Sequence, residues 1–194
     1  MDKPEARQNG WQLLRTEYPF EHPMFRVRQD WVRWPDGVER SYTYMEARGA
    51  VFVVPVTPEG EVVLIRQFRY TVDQWSWEIP AGGCHDFEGA DLADLVRREL
   101  REEVGGVPDE VRYMGKFRPG VSLIDEEFFV YLATGVRLTE EPTPEPGEQI
   151  EIHLTAPERA LEMARNGEMF DGPCAYSLLL CEEELVGETA DGRR

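Results

Sequence analysis

Cysteines and long apolar segments are scarce in this sequence of 194 residues. The three cysteines, Cys84, Cys174 and Cys181, lack the spacing of a metal site and leave one thiol over after any pairing. No apolar run is long enough to cross a bilayer, and the first residues do not resemble a signal peptide. These absences predict reduced thiols in a cytoplasmic protein.

Positive charge is also in short supply. The chain has 21 lysine and arginine residues against 38 aspartate and glutamate residues, which gives a formal net charge of −17. Proteins that bind nucleic acids or anionic membranes need clustered cations, so we expect neither kind of partner. A small phosphorylated substrate is compatible with this charge, because metal ions can bridge acidic side chains and a polyphosphate.

The pattern of apolar residues predicts an α/β fold, a mixed sheet with helices on both faces. At this length the chain is most simply one domain with an elaboration. We take residues 1–47 as an N-terminal elaboration of short strands, 48–186 as the main domain and 187–194 as a frayed tail. The turn Pro35-Asp36-Gly37 separates two strands of the elaboration.

The main domain is predicted to alternate strands and helices unevenly. Strands are expected at 50–56, 61–70, 111–118, 127–134 and 149–155, and at 77–83 a short strand is expected to run into a glycine-rich loop. The acidic, proline-rich segment 139–148 predicts an exposed loop. Thr155 and Glu158 form a capping-box pattern for a helix that ends near Gly167, and residues 173–185 predict a last helix.

The segment 92–104 carries the clearest local signals of a helix. Asp91 is a preferred N-cap residue, and Gly105 is a preferred residue just beyond a helix end. At about 100° per residue, the apolar side chains of this helix form one stripe. Its arginines lie on the opposite, solvent side.

Three glutamates of this helix, Glu99, Glu102 and Glu103, crowd one another. A charge-rich helix is usually a solvated face, but Glu103 falls inside the apolar stripe, Glu99 beside it and Glu102 at its edge. Burying an unpaired charge is costly, and the helix carries no lysine or histidine to pair with them. Hard oxygen ligands suit Mg²⁺ or Mn²⁺. The arrangement therefore predicts a metal site, with Mg²⁺ as the cofactor and Mn²⁺ as the alternative.

The same segment resembles the signature of the Nudix hydrolases. That signature runs from a glycine through five residues to a glutamate, and through seven more to Arg-Glu-U-x-Glu-Glu-x-Gly-U, where U is bulky and apolar. "RELREEVGG", from Arg98, supplies the second half, with Gly106 in the last position. Gly82 and Glu88 match the first half, but nine residues separate Glu88 from Arg98. This resembles a two-residue insertion before the helix, and it leaves the role of Glu88 open.

The segments "LIRQFRY", "WEIPAGG", "RPGVS" and "GEQIEI" resemble the ADP-ribose pyrophosphatase branch of that family. The resemblance covers about residues 20–185. It implies an α/β/α sandwich with an N-terminal antiparallel elaboration that helps to form a homodimer. It implies as metal ligands Glu99, Glu102, Glu103 and the carbonyl of Ala81, with Arg98 and Glu102 also counted among the catalytic residues. Arg98 would orient a glutamate.

The resemblance also implies roles for residues outside the helix. Glu148, at the end of the acidic loop, matches a general base, and a solvated loop glutamate is the alternative. Arg69 and Arg48 match arginines that bind the substrate's phosphates, and Phe25 and Tyr42 match aromatic residues that sandwich adenine. The alternatives from the residues alone are outward or surface arginines and aromatic residues of a core or cross-strand pair. Glu126 matches a loop residue that approaches the substrate, and it could equally be an exposed acid.

Together these features predict a Mg²⁺-dependent hydrolase that acts on ADP-ribose or a related nucleoside diphosphate sugar. The expected products are AMP, or another nucleoside monophosphate, and a sugar phosphate. One alternative is a Nudix hydrolase that prefers another diphosphate, such as a GDP-sugar. The other is a sensor that binds a nucleotide without cleaving it. The aromatic load of the first strands predicts a homodimer, because such side chains need to be buried.

Overall fold

The computed structural model describes residues 3–85, 91–145 and 147–187. Glu88 and nearly all of the predicted tail lie outside the described residues. The chain forms two compact units. The first consists of Met1–Arg48 and Arg118–Glu126, and the second of Gly49–Phe117 and Glu127–Arg194. The domain limits given above on the sequence alone remain predictions.

The first unit is a four-stranded sheet with one short helix. Its elements are α1 (Pro4–Gln8), β1 (Gln12–Glu21), β2 (Phe25–Arg33), β3 (Glu39–Ala47) and β10 (Ile124–Asp125). The strand order is β1-β2-β3-β10, and β10 runs parallel to β3 while the other neighbours are antiparallel. The predicted turn joins β2 to β3, and the Trp34 N–H donates to the Val38 carbonyl at 3.0 Å. The predicted pair of strands is therefore confirmed.

The second unit contains a seven-stranded mixed sheet and four helices. Its strands are β4 (Ala50–Val56), β5 (Val62–Arg69), β6 (Gln74–Glu78), β7 (Ala81–Gly83), β8 (Gly106–Val107), β9 (Glu110–Phe117), β11 (Phe128–Thr134), β12 (Arg137–Leu138) and β13 (Ile150–Thr155). Its helices are α2 (Leu92–Val104), α3 (Pro157–Asn166), α4 (Gly172–Leu180) and α5 (Glu182–Val186). The main sheet runs β13-β5-β4-β11-β9, with β6 paired to β5 and β7 to β4. Among the strands of this sheet in the described residues, β4 and β11 pair in parallel and the other neighbours are antiparallel.

Helices cover both faces of this sheet, as strand β4 shows most clearly. Val51 and Val53 point into a core that is shared with the apolar stripe of α2. Phe52 and Val54 point the other way, into a core shared with α3 and α4. Alternate side chains of a strand face opposite sides of a sheet, so a continuous apolar run needs cover on both faces. The predicted fold class, an α/β fold with helices on both faces, is confirmed.

Helix α2 begins and ends where the sequence predicts. The Asp91 side chain accepts a hydrogen bond from the Ala93 N–H at 3.1 Å. Gly105 ends the helix in the left-handed region, with a φ of 63°, and donates its N–H to the Arg101 carbonyl at 3.0 Å. A side chain at Gly105 would also meet the Glu140 carbonyl oxygen at 2.1 Å. Local capping therefore sets the length and phase of this helix.

The cap of α2 should be measurable in the stability of the protein. Asp91→Ala removes the acceptor for a helix-end N–H, and we expect it to lower the free energy of unfolding by about 1 kcal/mol. Asp91→Asn keeps an acceptor oxygen and should unfold at nearly the wild-type urea midpoint. Equal midpoints for Asp91→Ala and the wild type would contradict this account of the cap.

Two sequence predictions differ from the structure. The short strand predicted within 77–83 begins earlier, as β6 at Gln74, and ends at Glu78, shortly before Pro80, which has no N–H to donate. The glycine-rich loop predicted after it is instead strand β7, which pairs with β4. The capping box at Thr155 and Glu158 is wrong, because Thr155 pairs with Val62 as the last residue of β13. Ala156 precedes the helix instead. Pro157 in the first turn starts this helix without a side-chain cap.

The remaining elements follow the sequence more closely. The predicted last helix divides at Cys181 into α4 and α5. The described residues of the acidic loop 139–148 form neither a helix nor a strand, as predicted. Within the part of the chain that the structure describes, every helix is too short or too polar to traverse a bilayer.

Candidate active site

Helix α2 points two of its glutamates toward the interior. Glu99 and Glu103 are 9% and 7% exposed, whereas the side chain of Glu102 is 43% exposed. Glu103 occupies the same stripe as the buried Val96 and Leu100. The inward orientation that the helical periodicity predicts for Glu99 and Glu103 is confirmed, and the position of Glu102 at the edge agrees with it.

The backbone of β7 lies directly against these two carboxylates. The Ala81 N–H donates to Oε2 of Glu103 at 3.2 Å. At Gly82, an added Cβ would lie 2.1 Å from the Glu99 Cδ, so that any other residue at this position would displace the Glu99 carboxylate. Pairing of Ala81 and Gly82 with β4 holds the two residues in place. Gly82, the glycine that begins the signature, thus leaves space for the Glu99 side chain.

The two carboxylates repel each other in this site. Burial raises the pKa of the Glu103 carboxyl well above its usual value, and repulsion from Glu99 and from Glu148 raises it further. The hydrogen bond from Ala81 and the positive charge of Arg69 lower this pKa without cancelling the increase. The surroundings therefore leave Glu103 with an excess of negative charge, which a proton or a cation would relieve.

Arg98 lies beside the glutamates at the edge of the site. Its Nη2 donates to Oε1 of Glu99 at 3.0 Å, and its Nε lies 3.8 Å from Oε2 of Glu102. The guanidinium is about one-third exposed. This geometry suits a role for Arg98 in orienting Glu99, and the resemblance implies that Arg98 orients a glutamate.

Glu148 reaches the same cluster from the acidic loop. Its Oε2 accepts a hydrogen bond from the Glu145 N–H at 2.8 Å, and its charge acts on Glu103. The loop is fastened to the end of α2, since Thr143 donates its N–H to the Glu102 carbonyl at 2.8 Å. The C-terminal carbonyls of a helix have no partner within the helix. They therefore offer this loop a fixed attachment close to the glutamates.

Arg69 forms an ion pair that the sequence did not indicate. Its Nε and Nη2 donate to Oε1 and Oε2 of Glu78 at 2.8 and 2.5 Å. Glu78 is buried, at 3% exposed, and Arg69 is close enough to Glu103 to influence its pKa. Sequence reasoning missed Glu78. The signal that could have indicated this buried carboxylate is its place in the otherwise apolar and aromatic segment "WEIP".

The other predicted substrate residues belong to the first unit. Phe25 and Arg48 line one cavity of about 620 Å³. Tyr42 lines different cavities of this unit and donates its hydroxyl to the Ser122 carbonyl at 3.4 Å. Tyr42 pairs with Asp30 of β2, and Phe25 lies five positions from Asp30 on the same strand, a distance of about 17 Å. The two rings therefore form no sandwich within this unit. Glu126 ends the unit, and the roles of these four residues stay predictions.

The donor set fits a hard divalent cation. Carboxylate oxygens of Glu99 and Glu103 meet near the β7 backbone, and the raised pKa of Glu103 shows that neighbouring cations do not offset them. In the described residues, no three His, Cys, Asp or Glu side chains are grouped to hold a metal ion by themselves. Mg²⁺ does not need such a group, because it usually takes one or two carboxylates and completes its shell with water and substrate phosphates.

Gly82→Ala tests the close contact between β7 and α2. The new methyl group would displace the Glu99 carboxylate, and we expect kcat/KM to fall about tenfold, the cost typical of disturbing the support of a metal site. The melting temperature should change little, since the displaced atoms end a flexible side chain. Gly172→Ala is the matched control, because its Cβ would meet nothing within 4 Å. Unchanged activity in Gly82→Ala would show that the position of Glu99 is unimportant.

Comparison with known proteins connects this geometry to a family. The family model described as the NUDIX domain matches residues 46–174. An ADP-ribose pyrophosphatase of Bacillus subtilis is 30% identical over 148 residues, which are 76% of this chain and 79% of that protein. A CMP-5'-(N-acetyl-N-hydroxy-3-aminopropyl)phosphonate hydrolase of Streptomyces rubellomurinus is also 30% identical over 148 residues, 76% of this chain and 70% of that protein.

A solved structure has the same fold over nearly the whole chain. It is a crystal structure of an ADP compounds hydrolase, with a TM-score of 0.79 and 19% sequence identity. The match covers 92% of this chain and 96% of that one. At this identity the likeness concerns the fold, and it agrees with the mixed sheet and the flanking helices described above.

Proposed function

The chain belongs to the NUDIX family and is a pyrophosphatase of that family, and from this premise we propose its substrate and cofactor. It hydrolyses the diphosphate linkage of ADP-ribose or of a related nucleoside diphosphate sugar, with Mg²⁺ as the cofactor. The products are AMP, or another nucleoside monophosphate, and a sugar phosphate. One observation carries the proposal: Glu99 and Glu103 are buried against the backbone of β7, with Glu148 and Arg69 close enough to act on Glu103.

Each residue of the cluster has a separate part in the proposed reaction. Glu99 and Glu103 hold the divalent cation, with Glu102 and the Ala81 carbonyl as further ligands. When bound, the cation supplies a Lewis acid for the phosphoryl oxygens. Glu148 accepts the proton of the attacking water, and Arg98 keeps Glu99 oriented. Arg69 binds the diphosphate group through its guanidinium.

The choice of nucleotide is the open part of this proposal. Relatives of equal identity are named for ADP-ribose and for a CMP-linked phosphonate, so a CMP-linked substrate is a second candidate. A GDP-sugar remains the alternative that the sequence suggested. We favour ADP-ribose because the sequence resembles that branch over most of its length, and because Phe25 and Arg48 line one cavity.

A substrate panel with Mg²⁺ tests the proposal directly. The purified protein is incubated with ADP-ribose, a GDP-sugar and a CMP-linked phosphonate, and the phosphate-bearing products are identified. We expect AMP and ribose phosphate from ADP-ribose, no product after exhaustive EDTA treatment, and recovery when Mg²⁺ is added back. A parallel assay with Mn²⁺ shows whether this ion can replace Mg²⁺. Turnover that survives EDTA would contradict the metal assignment, and binding without any product would favour the sensor.

A homodimer is part of the same proposal. Strand β1 of the first unit leaves Leu13 and Phe20 about half exposed, at 48% and 51%, and Met24 follows at 54%. Exposed large apolar side chains on one sheet agree with an interaction surface. Sedimentation at micromolar concentration should give twice the mass of 22.4 kDa. A fully active monomer would rule the dimer out.

A cytoplasmic location is proposed from the cysteines. Cys84, Cys174 and Cys181 are buried, and none of these three described residues forms a disulfide. Burial raises the pKa of the Cys181 thiol to about 12 and that of Cys174 well above its usual value, so both remain unreactive thiols. Reduced, buried thiols agree with a reducing compartment.

A further inference from the structure

The ion pair between Arg69 and Glu78 has an unusual environment. Both oxygens of Glu78 accept hydrogen bonds from Arg69, and the Glu78 side chain is 4% exposed while that of Arg69 is 46% exposed. The carboxylate thus lies inside the protein and the guanidinium projects outward from it. Arg69 ends β5 and pairs with Gln74 of the antiparallel strand β6, whereas Glu78 ends β6 and pairs with Ile65. The contact therefore depends on the Arg69 side chain, which extends back along the sheet to Glu78.

Stability alone does not explain a carboxylate at this position. Removing a carboxylate from water costs several kcal/mol, and a buried ion pair is often no more stabilising than apolar side chains of similar size. Glu78 also adds negative charge near a site where Glu99 and Glu148 already repel Glu103. A carboxylate placed here is better explained by what it does to Arg69.

The pair fixes the direction in which Arg69 can bind a ligand. A guanidinium has five N–H donors in one plane. Two of them point at Glu78, which leaves three on the outward side. Strand register extends this picture, since Ile150 pairs with Gln67 and Glu148 precedes Ile150 by two residues, so β13 brings Glu148 toward Arg69. The register thus places Glu148 opposite Arg69, and the charge of Arg69 acts on Glu103 of α2.

We propose that Glu78 is a positioning residue, which holds the guanidinium of Arg69 so that its three outward donors bind the diphosphate group of the substrate. This inference rests on the proposed function, because it presupposes a diphosphate substrate. Glu78 itself does not touch the substrate. It acts through Arg69, whose planar donors match phosphate oxygens only when the plane is held in one orientation.

A double-mutant cycle on kcat and KM tests this inference. The variants are Glu78→Gln, Arg69→Ala and the double variant, each assayed with Mg²⁺ and the diphosphate substrate that the wild type cleaves. An interaction made equally in the bound substrate and the transition state affects KM rather than kcat. We expect Glu78→Gln to raise KM about tenfold and to leave kcat within about threefold, since a hydrogen bond to a charged group is typically worth such a factor. The double variant should have the KM of Arg69→Ala alone.

Two further variants separate positioning from charge balance and from folding. Glu78→Asp keeps the charge but is one methylene shorter, so it should raise KM as Glu78→Gln does if geometry is what matters. Glu151→Gln removes the partner of Arg66, 3.5 Å away on the same sheet, and should leave KM unchanged. Melting temperatures confirm that each variant is folded. If Glu78→Gln does not fold, the KM of Glu78→Asp is the test of the inference.

The outcomes distinguish this inference from the proposed function. A wild type that cleaves no diphosphate overturns both. An active wild type whose Glu78 variants all keep the wild-type KM overturns the positioning role alone. So does a cycle in which the effects of Glu78→Gln and Arg69→Ala multiply, because Glu78 would then act independently of Arg69. Full rescue by Glu78→Asp would replace positioning with simple charge balance, and it too would overturn the inference.

Discussion

Glu148→Gln is expected to lower kcat by about 10²–10⁴-fold, the range typical of losing a general base. Its carboxylate is held by the Glu145 N–H at the end of a loop and lies close enough to Glu103 to raise that residue's pKa. If Glu148 accepts the proton of the attacking water, the lost interaction exists only in the transition state. KM and Mg²⁺ activation should therefore change little. Steady-state kinetics at several Mg²⁺ concentrations measures all three quantities.

The acidic loop offers a matched control for this variant. Glu145→Gln removes a carboxylate from the same loop, three residues away, and should keep the wild-type kcat because its side chain is exposed. A fall of less than about tenfold in Glu148→Gln would place the base elsewhere, since it falls short of the usual range. Glu102→Gln is then the deciding measurement, because Glu102 is the accessible one of the three α2 glutamates.

Glu103→Gln is expected to remove most of the activity and yet to stabilise the metal-free protein. The variant loses a metal ligand, and a loss of at least about 100-fold in kcat is typical when such an electrostatic group is removed from a site. It also removes a buried charge that Glu99 and Glu148 repel. In a chain of this length, each 1 kcal/mol of added stability raises the melting temperature by about 2–4 °C.

The pH dependence of this stabilisation has a definite sign. The pKa of Glu103 is raised in the folded protein, so the folded state binds more protons than the unfolded state between the ordinary carboxyl pKa and the raised one. The stability that the protonated Glu103 contributes is complete below the ordinary pKa and is lost as the pH rises through the raised pKa. The difference in melting temperature between the variant and the wild type should therefore be small in acid and grow toward neutral and alkaline pH.

Melting curves over a range of pH, with EDTA and with Mg²⁺, measure this effect. Mg²⁺ should raise the melting temperature of the wild type more than that of Glu103→Gln, because the cation relieves the same repulsion that the substitution removes. Glu140→Gln is the control, since this exposed carboxylate lies near the end of α2 and pairs with Arg101 rather than with the cluster. A metal-free Glu103→Gln that melts below the wild type at alkaline pH would contradict the account.

Much of α2 could be predicted because its signals are local. Asp91, Gly105 and the 3.6-residue period of the apolar side chains act within one or two turns of the helix. The direction in which Glu99 and Glu103 point follows from that period alone. The same reasoning failed at Thr155, because pairing with Val62 on another strand keeps it in β13. At that position, pairing with β5 outweighed the local capping pattern, and the segment itself does not specify this tertiary contact.

The sequence by itself determined the charge, the strands and the helix that turns two glutamates inward, because periodicity and capping act among near neighbours. Only the tertiary structure decided what those glutamates face. Pairing of β7 with β4 brings Gly82 against Glu99. The side chain of Arg69 reaches the unpredicted Glu78, which the pairing of β6 with β5 places opposite Ile65. Pairing of β13 with β5 brings the loop of Glu148 to the same place. These contacts join residues far apart in the chain, and strand order, which no short segment specifies, selects them.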